Sequence, residues 1–464
     1  MRAADLALVA AVGFATLLPF LGQTRDVATH ELRHAEIARE MADGGGVLVP
    51  RLLGEEYADK PPVMHAMIAA LYRLAGAPSL ALARVPSVVA GVMGALAVYG
   101  IGMTVVDRPA ALLTATGLLA TLGYRRMARV ARPDMIFVAA ILVGCFFLLR
   151  ALRTARPPVI ALALAGAAAG FATVTKGPLG VLVPGIVAVL AARRRERPTR
   201  LREWAVLAAG AVAVLIAWTG ALWLTGHADY LYRVVTQPDV AGADPEPGSV
   251  RAYAVALVVG FLPLTLLLPA LVHAVRRRGP GLALAVALLL LVVLVAVPKK
   301  RRHYLLPVYP FLVLAVAEAV TRADTPRLAR TTGALVALSL AAGPLWYAAT
   351  PPGALATEEP KLTMARRVLE VVPAGRRIVC MDELAEAIAF TGRRDGVAEV
   401  MDVPSVVREA KRNGAGSYVV IPAGRAAHLD TAAARRGLRL TSLERDELPV
   451  HGHVRGWLVY RVEP

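Results

Sequence analysis

Ionisable side chains of both signs stand beside the apolar runs of this chain. The acidic candidates are Asp26, Glu31 and Asp134. The basic candidates share positions close to the ends of apolar runs: Lys60, Arg132, Lys176, Arg301, Arg302 and His303. Charges near hydrocarbon are costly, so a group of them at one membrane face indicates function. An excess of cations suits group transfer from a lipid phosphate, because cations stabilise the leaving phosphate while a carboxylate takes the proton of the incoming hydroxyl.

Each of these residues also has a purely structural interpretation. Asp134 follows a proline at a predicted helix start, where it can cap the helix, and a cap can also support catalysis. Lys60 and Lys176 can extend their ammonium groups to the membrane interface. Glu31 can belong to a solvated helix face. The stronger signal is therefore the gathering of all these groups at one face of the membrane.

The composition predicts the elements that must position these groups. Of 464 residues, 57% are hydrophobic and only 19% are charged, which excludes a soluble enzyme, a disordered chain and a disulfide scaffold. With a yardstick of about 20 residues per span, the sequence predicts about eleven membrane spans. They cover residues 5–22, 82–105, 109–124, 134–150, 158–174, 178–192, 204–224, 252–274, 280–297, 304–320 and 332–350.

The basic connections between spans predict the orientation. Most arginine-rich connections fall on one side, which is cytoplasmic by the positive-inside rule. The other side receives loops 23–81, 125–133 and 225–251, the hairpin tip at Lys176, and everything after residue 351. Two basic clusters, at 124–132 and 299–303, oppose the rule there. An anionic ligand at the outer face explains them, and the alternative is an error of one in the number of spans.

Outside the spans the sequence predicts two further parts. Loop 23–81 contains amphipathic helices near 31–41 and 63–76. After residue 351 short strand-like runs alternate with helical ones, which indicates a small α/β domain. The predicted fold class is thus a polytopic α-helical membrane protein with a small C-terminal extracytoplasmic α/β domain. The predicted division is a membrane domain, 1–350, and the α/β domain, 351–464.

Five motifs in order then resemble one family. His30–Met41 reads His-Glu-Leu-Arg-His-Ala-Glu-Ile-Ala-Arg-Glu-Met, and Asp59–Pro62 reads Asp-Lys-Pro-Pro. Ala131–Met135, Thr175–Pro178 and Arg302–Pro310 follow. Together they resemble the lipid A aminoarabinose transferases and the related dolichyl-phosphate-mannose–protein mannosyltransferases, whose motifs are Asp-Glu-x-Arg-Tyr-Ala-Glu, Glu/Asp-Lys-Pro-Pro, Ala-Arg-x-Asp, Thr-Lys-Gly-Pro and Tyr-x-Leu-Pro-x-x-Pro.

The resemblance implies the C-type glycosyltransferase fold and an inverting sugar transfer from a polyprenyl monophosphate at the outer face. The acidic residue of the first outer loop would be the base, and Asp134 would support the site. The expected donor-phosphate ligands are Lys60, Arg132, Lys176, Arg301, Arg302, His303 and Tyr304. Some relatives bind a divalent metal near the Glu-Lys-Pro segment, which makes Asp59 the candidate ligand here.

The same resemblance implies partners and location. The expected partners are a polyprenyl-phosphate sugar, membrane lipids and an acceptor that is a lipid, a glycan or a protein, with no nucleic acid. An Ala-, Arg- and Gly-rich composition indicates a bacterial source, so the expected location is the cytoplasmic membrane with a periplasmic active site. The sequence names neither the sugar nor the acceptor.

One departure from the family pattern leaves alternatives open. His30 stands where the family has the Asp of its Asp-Glu pair. Glu31 is the favoured base, followed by Asp26 and by His30 oriented by a carboxylate. A lipid-phosphate-binding relative without catalysis, and a ligase that uses diphosphate-linked glycans, are the other readings. Loop 225–251 lacks the His and Trp-Tyr pairs expected of the family, which counts against a metal.

Overall fold

A computed structural model describes residues 1–24, 27, 30–44, 46–194, 199–236, 249–297, 300–323, 326–349, 360–381, 384–450 and 453–464. Helices dominate it: α1 (Ala3–Leu17), α2 (Glu31–Ala42), α3 (Val63–Ala75), α4 (Leu80–Gly102), α5 (Arg108–Ala120), α6 (Leu122–Met127), α7 (Asp134–Leu152), α8 (Val159–Lys176), α9 (Leu179–Ala192), α10 (Leu201–Leu224), α11 (Ala228–Thr236), α12 (Val250–Gly260), α13 (Leu268–Arg278), α14 (Leu282–Ala296), α15 (Val308–Ala323), α16 (Pro326–Ala349), α17 (Pro360–Val371), α18 (Leu384–Gly392), α19 (Val403–Asn413) and α20 (Ala426–Arg435). The strands are β1 (Arg51–Leu52), β2 (Glu55–Glu56), β3 (Ile378–Met381), β4 (Val397–Val400), β5 (Tyr418–Pro422), β6 (Leu440–Val450) and β7 (His453–Val462).

A helix occupies every predicted span, but the eighth is not one straight helix. In the described part of the chain, four helices are long and apolar enough to cross a membrane: α4, α7, α8 and α10. The predicted span 252–274 is broken into α12 and α13, which bend by 95° about a 3-10 turn at Leu264–Leu267. Proline at 263 explains the break, because proline cannot continue the hydrogen bonding of a helix. The number of spans therefore stays a prediction.

The chain divides into two compact units. The first, here called the apolar unit, comprises Met1–Leu21, Ala58–Met64 and Arg84–Thr350. The second, here called the sheet unit, comprises Gly22–Tyr57, His65–Ala83 and Pro351–Pro464. Most of the first outer loop thus belongs to the same unit as the C-terminal region, although the segment with Asp59 and Lys60 belongs to the apolar unit.

The C-terminal region contains a five-stranded sheet with the order β4-β3-β5-β7-β6. Strands β4, β3 and β5 are parallel, and β7 runs antiparallel to both β5 and β6. The buried side chains of β3 and β5 pack against α19 and α20, with Val406, Val419 and Leu429 fully buried. Strands and helices alternate from β3 to α20, as the alternating runs after residue 351 predict. Helix α17 was not predicted, although the apolar residues Leu362, Ala365 and Val368 have helical spacing.

In the apolar unit, α8 and α10 pack with almost no side chain between their backbones. A Cβ atom added to Gly170 would lie 2.5 Å from the carbonyl oxygen of Ala211, and Gly166 and Gly210 are equally confined. Small residues allow this approach, which is typical of helix pairs in membranes. The tight pair fixes the end of α8, where Lys176 stands.

We expect Gly210→Ala to destabilise the protein by about 1–3 kcal/mol, because the new methyl group would meet the backbone of Ala163 and Ala167. Gly220→Ala on the same helix is the matched control, since a Cβ there meets nothing within 4 Å. The control should gain about 0.5–1 kcal/mol from better helix propensity. Thermal unfolding in detergent measures both changes, and equal midpoints for the two variants would refute the close packing.

Candidate functional site

The centre of the candidate site is Asp134, the first residue of α7. Pro133 precedes it and has the backbone conformation of a helix, so the proline starts α7 and leaves Asp134 in the first turn. The carboxylate is only 2% exposed. A carboxylate at a helix N-terminus interacts favourably with the helix dipole, but burial at this level also requires counter-charges.

Cations surround this carboxylate. The Lys176 ammonium donates a hydrogen bond to Asp134 Oδ1 from the end of α8. Arg132 Nε lies 3.7 Å from Asp134 Oδ2. The same Nε is buried and makes no hydrogen bond to any residue that the structure describes. One carboxylate thus faces two cations, and one cation keeps a buried donor available for an anion.

Aromatic rings complete the surroundings of Asp134. The Lys176 ammonium lies 5.1 Å from the centre of the Tyr304 ring, a cation–π arrangement. The rings of His303 and Tyr304 meet edge to face at 4.8 Å. His303 Nε2 is 4.0 Å from Asp134 Oδ1. The structure therefore brings together five of the predicted residues from three separate stretches of sequence: Arg132, Asp134, Lys176, His303 and Tyr304.

Lys60 belongs to the same unit, and its charge acts on Lys176. Its ammonium donates to the carbonyl oxygen of Asp59 at 3.1 Å, and its own carbonyl accepts a hydrogen bond from Tyr230 at 3.2 Å. Tyr230 is 1% exposed and lies on α11. Sequence reasoning missed Tyr230, because an uncharged tyrosine in a loop region gave no charge or spacing signal. The hydrogen bond from Tyr230 fixes the backbone from which the Lys60 side chain extends.

The two basic clusters, at 124–132 and 299–303, make different kinds of contact. Arg301 is half-buried and acts electrostatically on His303, whereas Arg302 is exposed. In the other cluster, Arg129 donates to the carbonyl oxygens of Leu17 and Pro19, both at 2.7 Å. Binding to backbone carbonyls at the end of α1 thus accounts for part of that cluster without an anionic ligand.

Two of the candidate bases, His30 and Glu31, belong to the sheet unit. Glu31 is fully buried at the first turn of α2, and His30 precedes it with a left-handed φ of 64°. Asp26 lies outside the described residues. The predicted roles of these three residues stay predictions.

The described residues do not supply a metal site. Asp59 is half-buried, and no group of three or more His, Cys, Asp or Glu side chains suited to a metal occurs among the residues that the structure describes. A single carboxylate is not enough for the usual ligand sets of divalent cations. The function proposed below therefore uses no step through a metal.

The surroundings of His303 predict how stability depends on pH. The pKa of His303 falls from 6.5 to about 3, because burial lowers it most, Asp134 opposes this shift, and Lys176, Arg132 and Arg301 add to it. The unfolded chain therefore binds more protons than the folded chain between these values. The contribution of His303 is fully present above pH 6.5 and is lost as the pH falls towards 3, by up to about 1.4 kcal/mol per pH unit.

We expect His303→Gln to flatten the fall of the unfolding midpoint between pH 6.5 and 5. The exposed His273, changed to Gln, is the control and should leave that slope as in the wild type. An unchanged slope in His303→Gln would contradict the burial of a neutral imidazole.

Comparisons with known proteins agree with this architecture. Residues 59–223 match the family described as dolichyl-phosphate-mannose-protein mannosyltransferase. Over 257 residues the chain is 28% identical to an undecaprenyl phosphate-alpha-4-amino-4-deoxy-L-arabinose arabinosyl transferase of Proteus mirabilis. A second relative of this description, from Sodalis glossinidius, is 33% identical over 198 residues. These alignments cover 53% and 41% of the chain but only 46% and 35% of the relatives, so the chain matches less than half of their length.

Two solved structures share the fold. ArnT from Cupriavidus metallidurans bound to undecaprenyl phosphate has a TM-score of 0.75 at 19% identity, covering 98% of this chain and 97% of that one. The oligosaccharyltransferase AglB from Archaeoglobus fulgidus has a TM-score of 0.53 at 11% identity, covering 91% and 69%. The resemblance is thereby confirmed: the chain is similar in sequence to the aminoarabinose transferases and the protein mannosyltransferases, and it shares its fold with these two solved transferases.

Proposed function

We propose that this chain transfers a sugar, with inversion, from a polyprenyl monophosphate to an acceptor hydroxyl at the outer face of a bacterial cytoplasmic membrane. The observation that carries the proposal is the buried Asp134 with Lys176, Arg132 and Tyr304 around it. One carboxylate with an excess of cations suits a ligand that brings negative charge. A lipid phosphate brings this charge and an apolar tail suited to the spans.

The chemistry assigns a role to each charge. The acceptor oxygen would attack the anomeric carbon as the bond from that carbon to the phosphate oxygen breaks. Lys60, Lys176 and Arg132 would stabilise the negative charge that grows on the departing phosphate. Arg301, Arg302, His303 and Tyr304 would complete the phosphate surroundings. Asp134 would hold Lys176 and Arg132 in place rather than react.

The base is proposed separately, from the family pattern. Glu31 would take the proton of the acceptor hydroxyl, because it aligns with the second acid of the family's Asp-Glu pair. The substrates for which the relatives are named make undecaprenyl phosphate the first carrier to test and 4-amino-4-deoxy-L-arabinose the first sugar. Lipid A, other glycolipids, glycans and proteins are the acceptors to compare.

The test is sugar transfer in proteoliposomes. Polyprenyl monophosphates with different sugars are offered with each acceptor, and free polyprenyl phosphate is measured. Lys60→Gln should raise the KM for the donor at least 10-fold, whereas Lys411→Gln, which removes an exposed lysine that contacts a backbone carbonyl, should match the wild type.

Each other result has a defined meaning. Release only from diphosphate-linked donors would replace the proposal with a ligase. Tight donor binding without release from any donor would replace it with a lipid-phosphate-binding protein.

A further inference from the structure

Two arginines of helix α2 contact acidic residues of one C-terminal segment, residues 386–399. Arg33 Nε donates to Glu386 on α18, and Arg33 Nη2 lies 3.9 Å from Glu399 on β4. Arg39 Nη2 donates to Asp395 at 2.9 Å, in the turn between α18 and β4. All of these residues belong to the sheet unit. The contacts join positions more than 350 apart in the sequence.

The pair of Arg33 and Glu386 is largely removed from water, whereas the Asp395 side chain that pairs with Arg39 is 88% exposed. Glu386 is 2% exposed and Arg39 is 3% exposed. Arg39 also binds Glu36, which is fully buried, through two hydrogen bonds of 2.9 and 2.8 Å. A buried charge is tolerated only when it is paired with good geometry, and removal of one partner leaves the other charge buried and uncompensated. The arginines therefore define the position of α2 on the sheet region.

The helix depends on contacts of this kind. An isolated helix of 12 residues is marginal in water. Most of its apolar side chains are buried, and Ile37 and Met41 pack with Ala69 of α3. Arg73 of α3 donates to the carbonyl oxygens of Met41 and Ala42 at 2.5 and 3.0 Å, which holds the C-terminal end. Arg33, two residues after Glu31, provides a charged contact near the N-terminal end.

We propose that the C-terminal α/β region is a positioning element for sugar transfer, and that Arg33, with Glu386, sets the place of Glu31 through α2. This inference rests on the function proposed above. Arg33 and Arg39 are positioning residues, because they contact carboxylates of the protein itself. The segment Glu386–Glu399 thereby positions the proposed base and is not a separate binding module.

The test uses the full chain in proteoliposomes. Glu386→Gln and Arg33→Gln should each lower kcat at least 10-fold with the KM for the lipid donor changed less than 2-fold, because small displacements of a reacting group are costly in rate. The exchanged pair Arg33→Glu with Glu386→Arg should recover activity relative to either single exchange. Arg412→Gln is the control: it breaks an exposed ion pair with Glu409 on α19 and should leave kcat unchanged.

A second readout does not need activity. Amide hydrogen exchange of α2 should accelerate at least 10-fold in Glu386→Gln and stay as in the wild type in Arg412→Gln. Unchanged kcat in the Arg33 and Glu386 variants of an active protein would overturn the positioning role and leave the transferase intact. If the wild type transfers nothing, the transferase fails. In that case, unchanged amide exchange of α2 in Glu386→Gln would also show that the ion pair does not hold α2 in place. Faster exchange confined to α2 would show that it does.

Discussion

Asp134→Asn is expected to lower sugar transfer at least 100-fold and to destabilise the protein by about 3–5 kcal/mol. The substitution removes the charge that faces Lys176 and Arg132 but keeps the shape of the side chain. Lys176 would then be a largely buried cation without its counter-charge, with a side chain only 16% exposed. The measurements are release of polyprenyl phosphate and thermal unfolding in the same detergent.

The apolar unit offers a matched control for this prediction. Asp5 is also 2% exposed, and it is paired with Arg108 at 2.5 Å and with Tyr99 at 2.6 Å. Asp5→Asn should also cost stability, by a smaller amount because the Arg108 side chain is 43% exposed, yet its turnover per folded molecule should match the wild type. If both variants lose turnover equally, Asp134 has only a structural role.

A double exchange separates charge balance from chemistry. Asp134→Asn with Lys176→Met removes both members of the ion pair, so the stability should recover in large part. Donor binding should not recover, because Lys176 is a proposed phosphate ligand. Recovery of both stability and donor binding would show that Lys176 only stabilises the fold.

Much of the apolar unit follows from the sequence, because the signals that define it are local. Apolar runs with arginines between them predicted the helices, and the confinement of charges to one face predicted the grouping of Asp134 with Lys176. The turn after Lys176 is signalled in the sequence by glycine at 177. In the structure this glycine adopts a φ of 117°, which other residues rarely adopt. The break between α12 and α13 was missed because hydropathy is continuous through Pro263.

The grouping of α2 with the C-terminal sheet could not be predicted in the same way. Periodicity describes a helix and its apolar face, but it carries no information about a partner such as Glu386, 353 positions away from Arg33. The acid itself gave no signal, since a glutamate in a short helix is usually solvated. The role of Tyr230 could not be predicted for a similar reason: it contacts a backbone carbonyl, and no side-chain pattern indicates such a contact.

Glu31→Gln is expected to lower kcat by about 10²- to 10⁴-fold with little change in donor binding. Glutamine has nearly the same size and can still accept and donate hydrogen bonds, but it cannot take a proton from the acceptor. Glu31 is fully buried on α2, and glutamine of the same size fills the same space, so the helix should stay in place. Glu55→Gln, an exposed acid on β2 of the same loop, is the control and should retain wild-type rates.

The remaining activity of Glu31→Gln decides between the three candidate bases. Wild-type release in this variant would move the base to Asp26 or His30, and Asp26→Asn and His30→Gln then identify which. The pH profile distinguishes these two further, because a carboxylate base and an imidazole base lose activity in different acidic ranges. Loss of both release and donor binding in Glu31→Gln would instead mean that the buried glutamate supports the binding site. A loss confined to kcat is the outcome that assigns proton removal to Glu31, and it would explain how the chain transfers sugar with histidine at position 30.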